Sequence, residues 1–418
     1  MTRLFLGPVK QFRLAAIGLI VCLLAGSAVG GGTFTCEAPL ILSREFEISD
    51  SAVFARFVET YDRVGDKNAF TVYEIVEVLR DPRKSLRVGS RVEVSGWVNR
   101  KPGNFMLLLE RYGTGVRSAT PKWNRQEDMT RQALRYLREA PVPNADKPER
   151  LDYFAKFLEH PDPIIAKDAY QEFAEGPQEH VIRVARKFSP AKLRKWVFEA
   201  KGGYAEMRRG LYGMMLGLCG DKSDIPRLEA IVRENPEDEL RLGIDGMISG
   251  YLLLTGADGL KFVEKAKLLA SNVPFSETHS TLNALRFMWT YGEGRIPAER
   301  LQESLRLLLD QPDLAELAIM DLARWRDWKI QPRLLKLYNS GGQYSEVRTK
   351  RAIIRFMLTS TYDLQNAGTG SASEEQLPPH VLRGREALRV IRKQDAKLVA
   401  DAEKHFLPKG RKLQKAVN

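Results

Sequence analysis

Two patterns of hydrophobic and polar positions divide the chain. From residue 51 to residue 112, apolar runs rich in β-branched and aromatic residues are separated by short turn sequences. In the third run, Val92 and Val94 alternate with polar residues, as in a strand with one buried and one solvated face. We therefore predict a small antiparallel β module over residues 36–112. Its strands are AVFARFVETY, AFTVYEIVEVL, RVEVSGWV and FMLLLERY.

From residue 126 to residue 405, after a linker at 113–125, apolar residues recur with the period of amphipathic helices. Pro190, Pro226, Pro297 and Pro332 each open such a helix, at intervals of 36, 71 and 35 residues. The interval of 71 residues is about twice the others and contains one further unit that lacks the proline. This unit, SGYLLLTGADGLKFVEKA, again consists of an apolar helix, a Gly/Asp turn and an amphipathic helix. A repeating unit of two helices predicts an α-solenoid, here of seven or eight helical hairpins.

The apolar, glycine-containing segment Leu211–Cys219 belongs to this array. Its nine residues are too few to cross a bilayer. Gly213 and Gly217 lie four residues apart and therefore on one helical face. They predict a close approach of a neighbouring helix, and the glycines of GIDGMISG predict the same one unit later.

Two turns resemble those of a known repeat family. The segment His160–Pro163, followed by IIAKDAYQEFA, resembles the opening of a HEAT repeat, and Gly220-Asp221 with Pro226 resembles the turn inside one. The chain thus resembles exported bacterial proteins in which a β-rich module precedes a HEAT-like body. The β module itself loosely resembles a small OB-type barrel. The resemblance implies a mostly α fold and no particular activity.

The first thirty residues have the pattern of an export signal. Basic residues precede the apolar run LAAIGLIVCLLAGSAVG, and Gly26-Ser27-Ala28 offers a cleavage site. We expect export to the periplasm, the cell envelope or the medium. An uncleaved leader would be an anchor, and it is the only membrane contact that we expect. Cleavage leaves Cys36 and Cys219, either as one disulfide or as two free thiols.

The net charge of +12 is concentrated at the two ends of the chain. The β module balances twelve basic residues with twelve acidic ones, which disfavours a nucleic-acid-binding face. The basic excess lies in the leader and in the C-terminal region, which ends in a basic tail at 406–418. A polar insertion at 363–380 interrupts the helices. We expect no nucleic-acid partner, and the tail is the one segment that could bind a polyanion.

No spacing-specific catalytic, cofactor or metal motif occurs in the sequence. His160 with Asp162 can be a metal or proton site, but a turn in which Asp162 caps the next helix explains both residues. The segment 276–280, SETHS, can carry a nucleophile, or it can be a helix cap with a capping acid. We expect no catalytic residue, no cofactor and no metal.

The candidate partner-binding residues are Arg324, Trp325, Arg326 and Trp328. They lie at the turn between two predicted helices, and tryptophan and arginine dominate binding hot spots. The alternative is that the tryptophans fill the core and the arginines cover them. The sequence therefore favours a non-enzymatic scaffold that binds a protein or an envelope polymer through the solenoid or the β module. An envelope enzyme with a site assembled across repeats is the alternative, and polyanion binding by the tail is a weaker one.

Overall fold

A computed structural model describes residues 41–62, 69–110, 122–123, 125–142, 149–199, 201–236, 240–362 and 377–406. The chain divides into two compact units, Met1–Val184 (unit 1) and Ala185–Asn418 (unit 2). The predicted leader, Cys36, and most of the predicted linker, insertion and basic tail lie outside the described residues. None of the helices in the described ranges is both long and apolar enough to cross a membrane.

Unit 1 contains a five-stranded antiparallel sheet in the order β3-β2-β1-β4-β5. Four strands match the predicted runs, and the fifth, in a polar segment, was not predicted. The strands are β1 Ser51–Asp62, β2 Ala69–Arg80, β3 Arg91–Ser95, β4 Phe105–Glu110 and β5 Arg125–Asp128. Irregularities in the pairing of β1 with β2 add to the twist of these two strands.

The sheet curls until side chains connect its distant strands. Tyr73 on β2 donates a hydrogen bond to Gln126 on β5, three strands further along the sheet. Arg100, which follows β3, binds both carboxylate oxygens of Asp128 on β5 at 2.6 and 2.7 Å. Among the described strands, β3 and β5 share no backbone ladder. Within the described residues the sheet is therefore open between β3 and β5, and side chains bridge the opening. A barrel of OB type stays a prediction.

Helices α1–α5 complete the described part of unit 1, with α5 ending at the boundary to unit 2. The first, α1, was not predicted and lies inside the segment predicted as a β-rich module, before its first strand. These helices are α1 Leu42–Ile48, α2 Arg131–Glu139, α3 Glu149–Phe154, α4 Pro163–Ala174 and α5 Gln178–Ala185. As the sequence predicts, Asp162 caps α4, because its Oδ1 accepts a hydrogen bond from the backbone N–H of Ile164 at 2.9 Å.

The described part of unit 2 is entirely helical, so the prediction of a mostly α chain with a small β module is confirmed. Helices α6, α8, α11 and α13 begin at or next to the four prolines identified in the sequence. The helices are α6 Pro190–Phe198, α7 Gly203–Cys219, α8 Ile225–Arg233, α9 Ile244–Val263, α10 Phe275–Tyr291, α11 Ala298–Leu307, α12 Pro312–Arg324, α13 Gln331–Tyr338, α14 Val347–Tyr362, α15 Pro379–Gln394 and α16 Ala396–Phe406.

These helices form successive hairpins. The first helix of each hairpin is α7, α9, α10, α12 or α14, and α8, α11, α13 and α15 are second helices. Contacts between neighbouring first helices join residues about one repeat apart, and two contacts for each pair show its direction. Gly210 and then Gly217 on α7 meet Gly243, just before α9, and then Gly250 on it. The same order holds for Arg241 and Leu253 with Glu277 and Arg295, for Arg286 and Trp289 with Asp321 and Trp325, and for Leu309 and Trp328 with Tyr344 and Phe356. Because both partners advance together along the chain, the first helices run parallel.

The predicted close approach of glycines joins α7 to α9. A Cβ atom added to Gly217 would lie 2.5 Å from the Cα atom of Gly250, and one added to Gly250 would lie 2.1 Å from the carbonyl oxygen of Gly213. Any side chain at these positions would collide with backbone. The two helices therefore pack at a distance that only glycine allows.

Helix α9 contains a whole hairpin. At Gly256 the backbone leaves the helical conformation, with φ 61° and ψ −141°. The chain reverses there, because Lys267 beyond the turn and Arg241 before the helix bind the same carboxylate, that of Glu277. A single glycine in the left-handed region thus connects the two arms of this hairpin.

Candidate partner-binding surfaces

The structure places the two candidate tryptophans in the core. Trp325 is 7% exposed and Trp328 is 8% exposed. Trp325 stacks on Trp289, and Trp328 packs edge-on against Phe356 and stacks on His380. Of the two alternatives for these residues, burial in the core therefore describes the tryptophans.

The two candidate arginines are exposed on either side of Trp325. Arg324 is the last residue of α12, and 65% of its side chain is accessible. Arg326 lies in the turn with φ 54°, a left-handed conformation that disfavours residues with a Cβ atom. The turn therefore holds two exposed guanidinium groups over a buried aromatic layer, and their role in binding a partner stays a prediction.

The segment 276–280 does not form the predicted cap. The residue before α10 is Pro274, and no side chain caps this helix. Glu277 is instead buried, and its carboxylate binds Arg241 at 2.7 and 2.8 Å and Lys267 at 2.8 Å. Glu277 does not cap the helix because two cations from other segments of the chain, Arg241 and Lys267, bind its carboxylate instead. No hydrogen bond joins His279 to Ser276 or Ser280 within the described residues.

In the cluster of Arg241, Lys267 and Glu277, the three N–H donors of the Lys267 ammonium and both carboxylate oxygens of Glu277 are used. The Lys267 ammonium, wholly buried, also donates to Glu234 O at 2.6 Å and to Asn235 Oδ1 at 2.5 Å. Burial raises the pKa of Glu277, but hydrogen bonds from Arg241 and Lys267 outweigh it and the net pKa is lowered. This cluster joins consecutive hairpins, so its role is structural.

A second buried cluster lies in unit 1. Ser43 on α1 donates from its backbone N–H to Asp168 Oδ1 and from its hydroxyl to Glu172 Oε1, both at 2.9 Å. Tyr136 donates to Asp168 Oδ2 at 2.7 Å, and Arg150 binds Glu172. Burial raises the pKa of Asp168, whereas hydrogen bonds from arginines lower that of Glu172. The cluster attaches α1 to α4.

An apolar edge of unit 2 was not predicted from the sequence. We give this name to Met207, Leu240, Leu242, Leu269, Phe275 and Val347. They account for six of the eight large apolar side chains that are exposed in the described part of unit 2. Each lies where one hairpin ends and the first helix of the next begins. Because the first helices are parallel, these side chains lie along one edge of the array.

The opposite edge has a different character. Its described turns consist largely of glycine and charged residues, as in the turn at 292–297, and the one large exposed apolar side chain at the end of a first helix there is Tyr362. Exposed apolar residues scattered singly are ordinary, whereas a concentration of them along one edge is not. The sequence signal was an apolar residue at or near the start of α7, α9, α10 and α14; α12 contributes none.

The described residues were also searched for a metal site and for a reactive thiol. No group of three or more His, Cys, Asp or Glu side chains is placed there to hold a metal ion. Cys219 is half-buried at the end of α7, and burial raises the pKa of its thiol to about 11. Such a thiol is a poor nucleophile at neutral pH.

Comparisons of the chain with models of protein families, with curated proteins and with solved structures find no match.

Proposed function

We propose that this protein is an exported, non-enzymatic scaffold that binds a protein partner at the cell envelope through the apolar edge of unit 2. The observation that carries the proposal is the placement of Met207, Leu242, Phe275 and Val347 at the starts of parallel helices. Stacked hairpins present such edges as long continuous surfaces. Export rests on the leader pattern of residues 1–30.

The centre of the edge supports a protein partner. Phe275 is 56% exposed and Leu269, six residues earlier, is 63% exposed. An aromatic and an aliphatic side chain together are typical of the apolar anchors at the centre of protein interfaces. Exposed charges of both signs flank them, including Lys265 and Glu234. This mixture favours a protein surface over a strongly charged polymer.

The proposal is tested by site-specific photocrosslinking. A crosslinker at residue 275 in the otherwise unchanged full chain, expressed in its native envelope, should yield one dominant adduct with a protein. The Leu242→Ser/Leu269→Ser variant should lose this adduct. Tyr362→Ser/Leu382→Ser is the matched control, because these two residues are also exposed and apolar but lie outside the edge.

Three outcomes contradict the proposal. The first is an unchanged adduct in the Leu242→Ser/Leu269→Ser variant. The second is an equal loss of the adduct in the control variant, which indicates nonspecific hydrophobic binding. The third is an adduct with a lipid or a polysaccharide instead of a protein. An adduct of twice the chain mass that matches this protein would identify the partner as a second copy.

A further inference from the structure

Two arginines on neighbouring helices meet at one buried carboxylate. Asp321 on α12 is 2% exposed. Its Oδ2 accepts a hydrogen bond from Arg286 Nε on α10 at 2.6 Å, and its Oδ1 accepts one from Arg324 Nη1 at 3.0 Å. Two guanidinium groups are charged at all accessible pH values. One carboxylate therefore leaves the group with one uncompensated positive charge.

The group retains hydrogen-bond donors that its internal bonds do not use. We define the Asp321 cluster as Asp321, Arg286, Arg324 and Asn283. Arg286 Nη1 donates to Asn283 Oδ1 at 3.1 Å, and this bond leaves the amide N–H groups of Asn283 available. Arg324 uses one of its five N–H donors on Asp321 and is largely exposed. The cluster thus offers amide and guanidinium donors around one net positive charge.

His279 extends this donor face along α10. It precedes Asn283 by one helical turn and Arg286 by two, so the three residues lie on one face. Burial, followed by the charge of Arg286, lowers the pKa of the His279 imidazole, while Asp245 opposes the shift. Arg286 therefore lies close enough to His279 for its charge to act on the imidazole.

We propose that the Asp321 cluster binds a side-chain carboxylate on an acidic segment of a protein. One net positive charge matches one carboxylate, whereas a phosphate dianion would exceed it. Guanidinium groups also bind carboxylates in a planar, two-bond geometry. The inference rests on the proposed protein-binding function, but it uses residues distinct from the apolar edge, so that each can fail separately.

The test is binding of fluorescently labelled hexaglutamate to the full chain, measured by anisotropy at low salt. Arg324→Gln should raise the dissociation constant roughly tenfold, which is the range of one charge-assisted hydrogen bond. Arg389→Gln is the matched control: this residue is an exposed arginine on α15 that pairs with Glu386. The control should change the dissociation constant less than about twofold. Thermal melts should show both variants folded, since both side chains are largely exposed.

Several results would overturn the assignment. Equal weakening by Arg324→Gln and Arg389→Gln indicates attraction by net charge alone. Displacement of the peptide by inorganic phosphate at lower concentration than by acetate identifies a phosphate site instead. Failure of the unchanged protein to bind hexaglutamate also rejects the proposal. Loss of photocrosslinking in the Leu242→Ser/Leu269→Ser variant, with hexaglutamate binding unaffected by Arg324→Gln, would leave the scaffold proposal standing without this site.

Discussion

Trp289 and Trp325 stack in parallel across consecutive hairpins, with ring centroids 4.2 Å apart and planes inclined by 6°. The stack joins the end of α10 to the residue after α12. Because Trp325 is buried, its contribution to stability is separate from that of the exposed arginines beside it. This separation allows the structural and binding roles of the turn to be tested independently.

We expect Trp325→Ala to lower the free energy of unfolding by about 3–5 kcal/mol, because it removes a large buried ring and leaves a cavity. Trp97→Ala is the control, since Trp97 is 66% exposed and its loss should change stability by about 0.5 kcal/mol or less. Urea denaturation followed by far-UV circular dichroism measures both. A loss under about 1 kcal/mol in Trp325→Ala would contradict its role in the core.

Arg326→Gly should stabilise the protein by about 0.5–1 kcal/mol, because glycine adopts the observed φ of 54° without the Cβ penalty. Arg324→Gly is the matched control, since it replaces a neighbouring arginine at the end of a helix and should be neutral or destabilising. Thermal melts distinguish the two. If Arg326→Gly also weakens partner capture, the strained turn is retained for binding.

Gly217→Ala and Gly250→Ala should each destabilise unit 2 by about 3 kcal/mol or more, because the new methyl group would overlap backbone of the facing helix. Gly294→Ala is the control. No atom lies within 4 Å of a Cβ added there, so only the penalty of its positive φ applies, about 1 kcal/mol. Equal effects at all three positions would show that α7 and α9 can separate without cost.

The buried acids of unit 1 should respond differently to neutralisation. At pH 7, Glu172→Gln should cost about 3–5 kcal/mol, because it leaves Arg150 buried without its anion. Asp168→Asn should cost less, about 1–3 kcal/mol, because burial disfavours the ionised form of Asp168 and the main loss is one hydrogen bond from Ser43 or Tyr136 that an amide nitrogen cannot accept. Denaturant titrations of the full chain at a series of pH values compare the two variants with the unchanged protein.

The pH dependence follows from the directions of the shifts. The lowered pKa of Glu172 gives stability that is present above its unfolded pKa and is lost as pH falls through its folded pKa. The raised pKa of Asp168 gives stability that is present at low pH and is lost as pH rises through its folded pKa. In acid, the loss of stability caused by Glu172→Gln should therefore shrink, whereas the loss caused by Asp168→Asn should grow, because the unchanged protein gains stability when Asp168 is protonated. A deficit of Glu172→Gln that grows in acid would contradict this assignment.

Local sequence signals predicted the hairpins well. Proline is accepted at the first turn of a helix, and four prolines mark the starts of α6, α8, α11 and α13: Pro190, Pro226, Pro297 and Pro332. The spacing of Gly213 and Gly217 predicted a close approach because a helical face repeats every three to four residues. These features depend on neighbours in the chain, which a sequence displays directly.

Tertiary partners explain what the sequence did not predict. Strand β5, RQED, has no strand-forming residues and exists because it pairs with β4. Glu277 was assigned to a cap because its partners Arg241 and Lys267 are 36 and 10 residues away. The apolar edge required knowing that the first helices are parallel. The burial of Trp325 and Trp328 places them in the core, which was one of the two alternatives that the sequence offered for these residues.

The turn at Gly256 has a consequence for how this chain can change in length. Other hairpin turns, such as the one at 292–297, have several residues and can absorb an insertion as a longer surface loop. At Gly256 one residue makes the whole reversal, and a Cβ atom there would lie 3.1 Å from Arg295 O. An added residue would have to shift one arm of the hairpin by a third of a turn, which rotates its buried side chains away from their neighbours. Variation in length among descendants of this sequence should therefore accumulate at the other turns and spare this one.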